Sequence, residues 1–258
     1  MLKTLRRISE RLTVHRCPAC GAVTRRAATL CPECLEKYAE ERERRCPFCK
    51  MTAPVCVCST RELYYCRELG RTMRSLLFYS IENPTAKRLI TSLKYSYDRE
   101  AEIFFARELS REILTLFAES GEAAKEWRVT YPPRRLRSIL AHGKDHAKSI
   151  AKYVAVYTGM TFSPVLRHRG GKAQKTLGAV ARTANAKKSY SLKPGADVKG
   201  GRFVIVDDVI TSGATMSACQ TILLKNGAKC AFALSVAKTP RRGEGADMMR
   251  SFRGRKIK

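Results

Sequence analysis

The sequence predicts an α/β protein: a doubly wound, mostly parallel sheet preceded by a small cysteine-rich module. Three observations carry that prediction. Short apolar, β-branched runs alternate with helical segments between Trp127 and Ala237. One of those runs, Phe203 to Val206, ends in Asp207-Asp208 and a small-residue loop, Thr211-Ser212-Gly213-Ala214-Thr215, before a further helical stretch. Ahead of them lie four closely spaced cysteine pairs between Cys17 and Cys58.

Taken in order, residues 1–15 form a basic amphipathic stretch with Leu2, Leu5, Ile8 and Leu12 at helical spacing, expected to dock on the protein. Residues 16–60 are the cysteine module. Cys17 and Cys20, Cys31 and Cys34, and Cys46 and Cys49 are each two residues apart, and Cys56 and Cys58 are one apart. In a cytosolic chain such pairs read as metal ligands rather than disulfides. Four thiolates suit tetrahedral zinc in a closed, structural site, so eight provide two sites. A thiol-redox or iron–sulfur reading accounts less well for the regular pairing. An interleaved pairing fits the spacing too. The sequential one, Cys17/Cys20/Cys31/Cys34 and Cys46/Cys49/Cys56/Cys58, is preferred because Glu36 to Arg45 reads as a helical spacer. His15 is read as a surface residue. A module this small, with few large apolar side chains, needs the metal for its folding energy.

Residues 61–238 are read as the α/β domain. Residues 59–80 suggest connecting strands or a hairpin at its flank, with Cys66 unpaired and packed as a small apolar residue. Asn83 to Lys94 reads as a helix with Pro84 in its first turn. A second helix over 100–120 places Ile103, Phe104, Ala106, Leu109, Ile113, Leu114 and Phe117 on its apolar face. Trp127 to Tyr131 is a first core strand, stopped by Pro132-Pro133. A basic loop, Arg134 to Gly143, leads to a helix over 144–158, and a strand is expected over 163–166. Arg167 to Lys175 is basic and has no apolar period, so it reads as a mobile loop, followed by a short helix over 177–185. Phe203 to Val206, a helix from Met216 to Asn226, and the strand Cys230 to Ala237 complete the pattern, with Cys219 and Cys230 in the core. Residues 239–258 form a basic tail with little apolar content, expected to be disordered.

The chemistry of the Asp-Asp loop suits a sugar phosphate. The hydroxyls of Thr211, Ser212 and Thr215 donate, Gly213 permits close backbone approach, and the unpaired N–H groups of the next helix favour an anion. Asp207 and Asp208, at the carboxyl end of a strand, accept from two vicinal hydroxyls or hold a cation. The 258-residue chain carries a net charge of +27 and 44% hydrophobic residues, enough for a globular core. That charge implies polyanionic partners, nucleic acid first among them. No apolar run approaches the length of a membrane span, and the charged N-terminus lacks a signal-peptide core, so a cytoplasmic location is expected.

The string from Val206 to Thr215 closely resembles the 5-phosphoribosyl 1-pyrophosphate (PRPP) motif of type I phosphoribosyltransferases. The resemblance implies that Asp207 and Asp208 bind the ribose 2′- and 3′-hydroxyls and serve as the catalytic pair. It also implies that Thr211, Ser212, Gly213, Ala214 and Thr215 wrap the 5′-phosphate. Some purine-salvage members place an acidic base where this chain has Thr211, so the loop is nearer the orotate-transferase type. With the cysteine pairs in front, nearly the whole chain resembles the ComF competence family, GntX-type proteins included. Lys94-Tyr95, Pro132-Pro133, Gln174, Leu177, Arg182 and Asn185 fall in the expected order. One string departs: members carry Arg-Gly-Phe-Asn-Gln where this chain has His142-Gly143-Lys144-Asp145-His146. His142 and His146 are read as a solvated pair rather than a metal site.

What the resemblance implies is a PRPP-binding protein that handles single-stranded DNA in natural transformation, with structural zinc and with magnesium accompanying PRPP. A further reading, not separable from this one by sequence, is a zinc-module scaffold that recruits a helicase or recombination protein. The alternative is an active magnesium-dependent phosphoribosyltransferase of unknown acceptor. On that reading Arg134, Arg135, Arg167, Arg169 and Lys172 are the candidates to clamp pyrophosphate, and loop 167–175 closes over the site.

Overall fold

The computed structural model describes residues 14–27, 29–58, 63–79, 87–88, 90–91, 99–135, 139, 144–169 and 189–240. Its elements are β1 (His15–Arg16), β2 (Val23–Thr24), α1 (Pro32–Glu43), β3 (Met73–Phe78), α2 (Arg99–Ser120), β4 (Trp127–Thr130), α3 (His146–Thr158), β5 (Thr161–Phe162), β6 (Leu166–His168), β7 (Tyr190–Leu192), β8 (Arg202–Ile210), α4 (Ala214–Lys225) and β9 (Cys230–Lys238). Among the described residues no helix is long and apolar enough to cross a membrane.

Alternation along β8 and β9 builds two cores. Val204, Val206, Phe232, Leu234 and Val236 face one way and pack with α2 and α3 through Phe105, Leu109, Ile113, Ile150 and Val154. Phe203, Ile205, Ala231 and Ala233 face the other way, onto Met216, Cys219 and Leu223 of α4. Covered on both faces, these strands have the near-continuous apolar character of a parallel sheet. The order is β3-β9-β8-β4-β5, and every pairing in it is parallel. This is the doubly wound α/β architecture the sequence predicts. Phe232 is fully buried at the centre of the larger core, so Phe232→Ala should cost about 3–5 kcal/mol. A lowered urea midpoint measures that loss, and an unchanged midpoint would contradict the packing.

Several expectations are corrected. Met73 to Phe78 is not a flanking connection but an edge strand of the main sheet, paired with β9 and buried along its whole length. Arg74 and Ser75 interrupt its apolar signal, yet both have tertiary partners, with the Arg74 Nε alone left unbonded. Arg74 pairs with Glu112 at 2.9 Å and Glu119 at 3.2 Å, and the Ser75 hydroxyl meets that of Ser235 at 2.6 Å. The strand expected over 163–166 is two strands instead: β5 joins β4, and β6 pairs antiparallel with β7 outside the main sheet. Pro164 between them has no N–H to give a ladder. The β8 strand runs four residues beyond Val206, so Asp207 and Asp208 lie within it, Asp207 opposite Ser235. On α2, Leu114 is 39% exposed, while Phe105 and Leu116 are buried.

Cys66 is not unpaired: it forms a disulfide with Cys230, 164 residues away. His146 is not solvated. It is 1% exposed in the first turn of α3, and its Nδ1 lies 3.0 Å from Glu102 of α2. His15, expected on the surface, is half-buried, with Nδ1 2.9 Å from Glu100. His142, Lys94-Tyr95, Lys172, Gln174, most of 83–94, the helix over 177–185, residues 1–13 and residues 241–258 lie outside the described residues.

The cysteine module packs directly on this sheet. Its helix α1 starts at Pro32, earlier than the expected spacer, with proline in the first turn where a missing N–H costs nothing. Tyr38 meets Phe104 edge-on at 5.2 Å, and Arg42 pairs with Glu112 and donates to Leu76 O at 3.3 Å. α1 is thereby fixed to α2 and β3.

Candidate functional site

The site is built where β8 turns into α4. Asp208 N donates to the Asp207 carboxylate at 2.9 Å, and Val209 N donates to Asp208 Oδ1 at 2.7 Å. These bonds hold the two carboxyl groups against their own strand. Gly213 then takes a left-handed conformation, with φ of 79°, and caps α4. A side chain there would be strained. Ala214 N reaches Ser212 Oγ at 3.4 Å. A shallow pocket lies over this turn, lined by Asp207 and by the loop from Val209 to Met216. A helix N-terminus, three hydroxyls and the Asp207 carboxylate therefore share one concave surface, while Asp208, next along β8, lies outside that lining.

The basic loop after β4 closes one side. Arg134 Nη2 donates to Asp208 Oδ2 at 2.9 Å. The Arg134 N–H donates to Asp145 Oδ2 at 3.2 Å, and Asp145 also caps α3 by accepting from Lys148 N at 3.3 Å. One chain of bonds thus ties the second site carboxylate to the start of α3. Arg135 Nε lies 3.4 Å from His168 Nε2, and the His168 ring stands edge-on to Tyr190 at 5.0 Å. Burial, and then the Arg135 charge, lower the His168 pKa.

Of the sequence-predicted residues, the structure brings together Asp207, Asp208, the five loop residues and Arg134, with Arg135 one residue away. Arg167 donates to Ser191 Oγ at 2.9 Å, and successive residues on a strand face opposite ways, so it points away from the His168–Tyr190 side. Arg169 is exposed at the end of β6, where its N–H donates to Ser189 O at 2.7 Å. Sequence reasoning missed Asp145, His168 and Tyr190. Asp145 carried a readable signal, an aspartate just before an apolar helical period. His168 and Tyr190 meet only through the β6–β7 pairing, which no local pattern announces.

Loss of hydration, and then the adjacent Asp208 carboxylate, push the Asp207 carboxyl well above its ordinary value of 3.8. The sign for stability follows. A raised carboxyl holds its proton more tightly folded than unfolded, so ionisation above pH 3.8 favours the unfolded chain. Below that pH both states are protonated and the penalty is gone. Asp207→Asn should therefore be more stable than wild type at neutral pH, with the gain fading as pH falls below about 4. Denaturation midpoints across pH check this, and equal midpoints at pH 7 would contradict it.

A phosphoribosyl transferase domain model matches residues 138–256. The adenine phosphoribosyltransferase of Erythrobacter litoralis is 32% identical over 142 residues, 54% of this chain and 79% of that enzyme. The DNA utilization protein YhgH of Salmonella typhimurium is 26% identical over 214 residues, 82% of this chain and 85% of that protein. The chain belongs to the phosphoribosyltransferase family, in its ComF branch. A solved allosteric regulatory enzyme of purine biosynthesis aligns at 20% identity and a TM-score of 0.36, over 69% of this chain and 30% of that one. The chain thus spans under a third of that enzyme's length, and the likeness bears on neither substrate nor activity.

This phosphoribosyltransferase-family chain carries its eight module cysteines in two sequential groups, Cys17/Cys20/Cys31/Cys34 and Cys46/Cys49/Cys56/Cys58. Within each group the sulfur atoms all lie within 4.8 Å of one another. Cys20 and Cys31 sulfurs are 3.6 Å apart, close to the ~3.8 Å edge of a tetrahedron with zinc–sulfur bonds near 2.3 Å. The two knuckles share one turn: Gly21 N donates to Cys17 O at 2.9 Å, and Lys50 N to Cys46 O at 3.0 Å. Gly21 and Lys50 both have positive φ, 78° and 60°. The donor set and its spacing fit zinc.

Proposed function

We propose that this protein binds PRPP, or a related ribose phosphate, at the Asp207–Asp208 loop and assists the cytoplasmic handling of single-stranded DNA during natural transformation. Two structural zinc ions hold its N-terminal module on the sheet. The observation that carries the ribose-phosphate reading is the turn from β8 into α4. The Asp207 carboxylate, with Asp208 next to it on β8, stands beside a hydroxyl-rich loop at a helix N-terminus. Arg134 occupies Asp208 meanwhile and is placed to meet an anionic group on the ligand. The DNA reading is supported by the net charge of +27 and by the YhgH relative's description as a DNA utilization protein. A helicase or recombination protein is the proposed partner.

The full chain should bind labelled oligothymidine with a log affinity that falls linearly as log salt rises. A slope of about −3 or steeper corresponds to four or more phosphate contacts, at about −0.7 each for single strands. A salt-independent affinity, or none at low salt, would remove the DNA part.

A second reading rests on the same loop: Asp207, Asp208 and the hydroxyls of Thr211, Ser212 and Thr215 all stand in the string that resembles the transferases' PRPP motif. Magnesium on the pyrophosphate would neutralise the leaving group, and the hard carboxylate oxygens of Asp207 and Asp208 suit such a cation. In this chain Arg134 and Arg135 would then balance pyrophosphate charge, while Thr211 supplies no base. Pyrophosphate release from PRPP, lost in Asp207→Asn, would favour this reading. PRPP binding without release would favour the first.

A further inference from the structure

Lys238, the last residue of β9, is fully buried. Its Nζ donates to Cys56 O and lies 5.8 Å from the centre of the Phe78 ring. Cys46, Ala53, Cys56, Cys58 and Phe78 pack together in one buried cluster around it. Among the described residues no carboxylate pairs with this lysine. A buried ammonium needs a countercharge, and neither a carbonyl oxygen nor a ring face supplies a full one. Four neutral thiols would not supply it either. Four thiolates around a divalent cation would, since that centre is a net dianion.

We infer that Lys238 is the countercharge of the second cysteine centre. Cys46, Cys49, Cys56 and Cys58 hold a divalent cation as a thiolate dianion, and the lysine offsets half of that charge while pinning the centre to the sheet. Among the described residues the first centre has no buried lysine packed on it, and water reaches it: Cys20 is exposed and Cys31 half-buried. The anchor point is close to the ribose-phosphate loop. Ile210, the residue before Thr211, pairs in register with Lys238, and Thr239 N donates to Ile210 O at 2.9 Å. The inference rests on the zinc reading above, and its test separates the two.

The test uses the full zinc-loaded chain and its Lys238→Met, Lys238→Gln and Lys238→Arg variants. Each is exposed to EDTA for timed intervals. Zinc per chain is counted by native mass spectrometry, and alkylation mapping shows which cysteines have become free. Wild type should carry two ions. The Met and Gln variants should release the second-centre ion about tenfold faster, with first-centre release unchanged, and Arg should behave as wild type. Gln can still donate to Cys56 O, so a Gln variant that holds zinc like wild type would reduce Lys238 to a hydrogen bond and overturn the proposal. An Arg variant as leaky as Met would reduce it to shape, with the same consequence. Retention of the first-centre ion reports that a variant has folded, and if Met does not fold, Gln and Arg decide. Wild type without zinc would sink the zinc reading itself, whereas two ions indifferent to Lys238 would sink only this inference.

Discussion

Stripping zinc from the folded protein is expected to unfold residues 14–58 while leaving the parallel sheet formed. The module has little else to hold it. Its strands β1 and β2 are two residues each, and its buried apolar residues are mostly the cysteines themselves, with Leu30, Tyr38 and Ala53. Structural zinc in small thiolate sites contributes about 10–16 kcal/mol of folding free energy near neutral pH, far more than three side chains can replace. The docking contacts of α1, Tyr38 on Phe104 and Arg42 on Glu112, depend on a helix whose first turn contains Cys34. Limited proteolysis after chelation and thiol blocking should cut within 14–58 and spare β8 and β9. Unchanged protease resistance with both ions removed would contradict this account.

The second large effect is expected at the carboxylate pair. Asp207→Asn with Asp208→Asn should abolish binding of magnesium–PRPP without unfolding the protein. Each charge-assisted hydrogen bond to a ribose hydroxyl is worth about 1.5–3 kcal/mol, so the pair contributes roughly 3–6, a hundredfold or more in affinity. The double change also removes the Arg134 partner and with it the bond chain to Asp145 and α3. Melting temperature tells the two effects apart. A folded double variant that still binds with wild-type affinity would show that the ligand sits elsewhere.

Much of the site was legible because it is local. A strand, two carboxylates, a hydroxyl-rich turn and a helix follow one another within residues 202–225, and each has a sequence signature. The grouping of the eight cysteines was legible for the same reason, since a helix separates two compact knuckles. What stayed hidden depends on contacts between distant elements. The Cys66–Cys230 bond spans 164 residues, and a lone cysteine announces no partner. His146 is buried because the first turn of α3 lands on Glu102 of α2. Lys238 reads as an ordinary strand-end lysine until the module is seen packed against it. Arg74 and Ser75 made an edge strand look like a connection, because their ion pairs and hydroxyl contact are tertiary.

The central claim is a working ribose-phosphate site on this fold. Calorimetric titration of magnesium–PRPP into the zinc-loaded wild-type chain tests it most directly. The account predicts saturable binding of one ligand per chain. No heat from a folded, zinc-loaded protein at millimolar PRPP would contradict it, and the turn from β8 into α4 would then be scaffold alone.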